Sequence, residues 1–92
     1  MVRPRRRDRG LTVSLTNHAA RRIRQRHIPP QAVWDAIERP FVRIPLPGGR
    51  QLGAVAAAVG GRWAWVQVVT LPLGERRFRV LTVFPRSPRP RV

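Results

Sequence analysis

Cysteine and lysine are absent from this chain of 92 residues, and acidic side chains are nearly so. The lack of cysteine excludes disulfides, thiolate metal ligands and a thiol nucleophile, and removes any sign of an oxidising compartment. Asp8, Asp35, Glu38 and Glu75 are all the carboxylates there are, and the two histidines stand nine residues apart. Such a set does not make a metal cage, so neither a metal nor another cofactor is expected. Long apolar runs are missing as well. The longest unbroken one, residues 54–59, is far below the roughly 20 residues that cross a bilayer and too short for a secretion-signal core. Arg6 and Arg7 match a twin-arginine export signal in those two residues only, because no apolar segment follows them. A cytoplasmic protein without a membrane partner is therefore expected.

What the chain has in quantity is arginine. All 19 cationic residues are Arg, and the formal net charge is +15. GC-rich coding accounts for arginine in place of lysine, but not for the scarcity of acids. Guanidinium is a planar fork of donors that grips phosphate bidentately and stacks on bases. A field this one-sided attracts polyanions such as RNA, DNA or an acidic protein.

A chain of this length has room for one domain, burying only about 60–65% of its unfolded surface. Residues 1–10 hold five arginines without apolar periodicity, and 86–92 alternate Arg with Pro or Ser; both read as basic arms flanking a domain over 11–85. Within that domain eleven arginines face Asp35, Glu38 and Glu75, a surplus of eight.

Thr16 or Asn17 is a good N-cap for a helix running to about Arg26, and Pro29-Pro30 stops it and opens a second helix ending before Pro40. In that second helix Val33, Trp34, Ala36 and Ile37 fall within one half of the wheel. From Phe41 the pattern changes to period two and β-formers. Strands are expected over 41–44, 51–59, 62–70 and 77–84, with a further short one over 11–15 that sets Leu11, Val13 and Leu15 on one face. Gly60-Gly61 between two apolar runs is a type I′ hairpin signal, since that turn needs positive φ twice. The expected fold is α+β: two N-terminal helices packed on a four-stranded antiparallel sheet.

His18, Arg22 and Arg26 recur every four residues and so spread over about 80° of the first helix, beside the apolar stripe of Ala19, Ala20 and Ile23. Residues so placed can be held by packing and still reach a groove. Imidazole is the commonest proton-transfer group, and guanidinium beside it would bind phosphate. The plainer reading is a helix-start histidine and a solvated arginine face. On the last strand, alternation sets Arg77 and Arg79 on one face and Phe78, Val80, Thr82 and Phe84 on the other, which would put Thr82 among core residues. Trp63 and Trp65 share a strand face; exposed, they could stack on unpaired bases, but at least one is expected in the core.

The run Thr16-Asn17-His18-Ala19-Ala20-Arg21-Arg22, then Arg26-His27-Ile28-Pro29, Val33 and Pro40, and the closing Val80-Leu81-Thr82-Val83-Phe84-Pro85, resembles a bacterial family marked by His-x3-Arg-x3-Arg-x-Ile and a late Val-x-Thr-Val-aromatic-Pro strand. That family is similar to the BrnT and RelE toxins and is grouped with barnase-like, EndoU-like and colicin-type ribonucleases. The resemblance spans about 15–85. It implies a RelE-like fold and metal-independent cleavage of RNA, with His18, Arg22, Arg26 and Thr82 at the catalytic positions. Arg79 is added from the strand pattern, and Arg21, Arg50, Arg62 and Arg77 as further nucleic-acid-binding residues. His27 stands where the family usually has Gly, and Pro29 where it has a capping residue. Tyrosine, part of the active site in some members of this fold group, is absent.

The resemblance implies an endoribonuclease toxin, acting on RNA such as ribosome-bound mRNA and restrained by an acidic antitoxin. The alternatives are a non-catalytic nucleic-acid- or ribosome-binding protein, and an interaction module for an acidic partner.

Overall fold

A computed structural model describes residues 11–86. The basic arm 1–10 and residues 87–92 of the Arg/Pro tail lie outside the described residues. The elements run β1 (Thr12–Leu15), α1 (Asn17–Gln25), α2 (Pro30–Glu38), β2 (Val42–Pro45), a short 3₁₀ turn (Pro47–Gly49), β3 (Gln51–Val59), β4 (Arg62–Gly74) and β5 (Arg77–Arg86). Arg86, assigned to the tail from sequence, is thus the last residue of a strand.

The expected four-stranded antiparallel sheet is corrected to a five-stranded mixed one, ordered β1-β5-β4-β3-β2. Strands β2 to β5 form the antiparallel meander, and β1 adds a parallel edge against β5, with Val13 beside Phe78 and Leu15 beside Val80. The physical reason is the route of the chain. After β1 the two helices carry it across the sheet to the opposite edge, and the meander returns it strand by strand until β5 reaches β1 running the same way.

Local chemistry explains the boundaries. Thr16 caps α1 through its Oγ1, which accepts from the Ala19 amide at 3.0 Å. The chain leaves α1 through His27 at φ 54°, a left-handed conformation that usually falls to glycine. Pro30 supplies a preset φ at the start of α2, while Pro29 at the N-cap has no side-chain bond to offer. Gly60 and Gly61 take φ 61° and 84° between β3 and β4, as a two-residue hairpin requires.

Both helices cover the same face of the sheet, α1 over β5 and β1, α2 over β3 and β4. Val66 and Val68 of β4 and Val80 and Val83 of β5 are fully buried there, together with Leu11; each such side chain contributes about 1.5–3 kcal/mol of transfer free energy. Ala19, Ile28, Ala32, Val33, Trp34 and Ile37 close the core from above. At Gly53 the packing is backbone on backbone, since a Cβ there would overlap the carbonyl of Ala36 in α2. The core tryptophan is Trp34. Trp65 is half-buried and lies against Phe41, with ring centroids 5.5 Å apart, and Trp63 is 67% exposed.

Strict alternation fails in β5. A register shift falls where Val69 faces Thr82 and Thr70 faces Val80, leaving Leu81 as the extra residue of a bulge. Val80 and Val83, three apart, therefore both point at the helices. Thr82, directly opposite Val69, shares its side out of the core, and its hydroxyl still reaches the start of α1 at the open margin of β5.

Candidate functional site

The bulge sets up the first chemical cluster. Where β1 ends, its edge of β5 is open, and the chain turns there into α1. Thr16 fixes that turn: its amide donates to the Val80 carbonyl at 3.1 Å and its hydroxyl to the Leu81 carbonyl at 3.0 Å, while Oγ1 also accepts from Ala19. The first turn of α1 is thereby pinned to the bulged segment of β5. One step along, His18 Nε2 and Thr82 Oγ1 share a hydrogen bond of 3.1 Å between exposed side chains.

This contact joins residues 64 positions apart, and it decides what the imidazole can do. Neutral imidazole has one N–H and one lone pair. When Nε2–H donates to the threonine hydroxyl, Nδ1 keeps the lone pair and is the ring atom able to take a proton. Because a hydroxyl both donates and accepts, Thr82 holds the orientation of the ring in either tautomer.

Arg22 follows His18 by four residues on α1 and is half-buried. Its Nε is inaccessible to solvent and has no hydrogen-bond partner among the described residues. A buried, unsatisfied cationic donor is costly. Arg79 is exposed and stands opposite Leu71 on the helix-free face, the face that also carries Thr82. The bulge thus corrects the expectation that Thr82 sits with the core residues of β5, while Arg79 lies off the core as expected.

The remaining sequence-derived residues are spread more widely. Arg26, the C-cap of α1, lines a cleft with Arg62 and Arg86. Arg21 is exposed on α1, and Arg77 is exposed at the start of β5, paired with Thr12 and Gly74. Arg50 belongs to the turn between β2 and β3, towards the opposite edge of the sheet, and its Nε donates to the Pro47 carbonyl at 2.9 Å. Other arginines are structural: Arg43 donates to the Ile37 carbonyl at 3.0 Å, and Arg76 meets Glu38 at 3.8 Å. Among the described residues no three His, Asp or Glu side chains gather as a metal site would require, and no helix is long and apolar enough to cross a membrane.

Two contributors escape a reading of the sequence. Thr16 is legible as a cap, but its second bond, to a carbonyl 65 residues away, needs the tertiary fold. Arg86 has a weak signal in the continued β pattern after Phe84, masked by Pro85 and the arginines beyond. Comparison of the chain with protein-family models, with curated proteins and with solved structures gives no match.

Proposed function

We propose that this protein binds RNA along the α1–β5 edge and cleaves it without a metal ion, with His18 as the base. The observation that carries the reading is the His18–Thr82 hydrogen bond, which leaves one ring nitrogen free on a helix whose next turn carries Arg22. In the reaction Nδ1 of His18 removes the proton of a ribose 2′-hydroxyl. The oxygen attacks the adjacent phosphorus, the P–O5′ bond breaks, and the departing O5′ takes a proton from water. The products are a 2′,3′-cyclic phosphate and a 5′-hydroxyl end. Arg22, one helical turn from His18, supplies positive charge for the phosphorane, where charge builds up most, and Arg79, on the helix-free face of β5, holds a neighbouring phosphate of the strand. The surplus of arginine over carboxylate supports an RNA ligand and would also suit an acidic protein that restrains the activity.

The test is incubation of the purified chain with single-stranded RNA in excess chelator. Cleavage leaving cyclic-phosphate ends is expected, and His18→Ala should slow it by about 10²–10⁴-fold while RNA affinity stays within about twofold. Equal loss of binding and cleavage would make His18 part of the binding surface and favour a non-catalytic binder.

A further inference from the structure

The second cluster lies at the other end of α1, where a cleft of about 460 Å³ opens between the C-cap of that helix, the β3–β4 hairpin and the end of β5. Arg26, Arg62 and Arg86 line it together with Trp63, and among the described residues its lining holds no carboxylate. Three guanidinium groups around one hollow repel one another unless an anion shares it. The indole of Trp63 adds a second requirement: at 67% exposure a large apolar ring is left facing water, which a flat partner would relieve. Anionic charge and a flat ring occur together in a nucleotide. An acidic peptide would satisfy the arginines but offers no such ring as a matter of course.

We infer that this cleft is a subsite for one unstacked nucleotide of a single strand, with its base on Trp63 and its phosphates on Arg26, Arg62 and Arg86. The identity of the polymer rests on the RNA reading above. Arg26 follows His18 by eight residues, about 12 Å along the helix axis. The cleft thus engages a nucleotide displaced along the strand from the bond that His18 addresses. It therefore selects where along a strand the cut falls.

The experiment uses the full chain with a fluorescein-labelled single-stranded 2′-O-methyl RNA, which cannot be cleaved, the same sequence as a duplex, and poly-glutamate as an acidic competitor. Binding of the single strand should quench tryptophan emission. Trp63→Ala should remove that quench and weaken binding about 5- to 150-fold, the range of one base–aromatic stack, while Trp63→Phe keeps most of the affinity. Arg62→Gln and Arg86→Gln should each flatten the salt dependence by about 0.7 in log–log slope. Unchanged affinity and quench in Trp63→Ala would overturn the cleft while leaving RNA binding intact. Equal affinity for the duplex would overturn it too, since a duplex offers no free base. If neither nucleic acid binds but poly-glutamate does so through Trp63 and Arg62, both the cleft and the RNA reading fall in favour of an acidic protein.

Discussion

At the scale of single residues, Thr82 shows how little separates a strand-former from a functional group. Its hydroxyl is the one feature that distinguishes it from valine in shape, and that hydroxyl meets the imidazole of His18. Thr82→Val keeps the β-branched packing and removes the partner of Nε2. Single-turnover cleavage should slow about tenfold, the equivalent of one hydrogen bond of roughly 1.4 kcal/mol, and Thr82→Ser should restore it. A denaturation midpoint unchanged in both variants would separate this effect from folding. His27 teaches the reverse lesson. It stands where the resembling family has glycine, and the backbone there adopts φ 54°: the turn demands the conformation, and histidine accepts it at some cost.

At the scale of elements, the parts specified by neighbouring residues are legible in the sequence and those specified by distant ones are not. Gly60-Gly61 marks its hairpin because positive φ twice in succession is a local demand. Thr16 and the Pro29-Pro30 pair mark the helix boundaries for the same kind of reason. The strand at the start of the chain is visible in Leu11, Val13 and Leu15, yet its parallel union with β5 is not, since nothing within it encodes which edge it joins. Alternation misplaces Thr82 because the bulge depends on how β4 and β5 align, not on the β5 sequence alone. His18, Arg22 and Arg26 do form one line on a helix, but the structure divides it: His18 meets the bulge at one end and Arg26 the hairpin cleft at the other. Gly53 gives this scale its own test. Because a Cβ there would meet the carbonyl of Ala36, Gly53→Ala must push α2 off β3, and an overpacking loss of about 1–3 kcal/mol is expected in urea unfolding.

Over the whole molecule, positive charge governs what can bind. Arg22 is on α1 and Arg26 caps it, Arg79 and Arg86 are on β5, and Arg62 opens β4. If each meets a phosphate, log K for single-stranded RNA should fall against log salt with a slope near about −3.5, measurable by fluorescence anisotropy. Arg50, at the β2–β3 turn and bonded to Pro47, should leave that slope unaltered when replaced by Gln. A steeper loss from Arg50 than from Arg22 would move the binding surface to the opposite edge.

The pairing of β1 with β5 also sets an order of events during synthesis. Of the five strands described, β1 is made first and waits for β5, and contacts between such remote segments form late and slowly. The imidazole is made 64 residues before its threonine partner, so no chain that stops short of β5 holds the pair. A product stopping at Arg76 should show no cooperative melting transition and no cleavage, and adding the missing strand as a separate peptide should restore both. Any product of premature termination or proteolysis that lacks β5 would thus be without the geometry that the proposed cleavage needs.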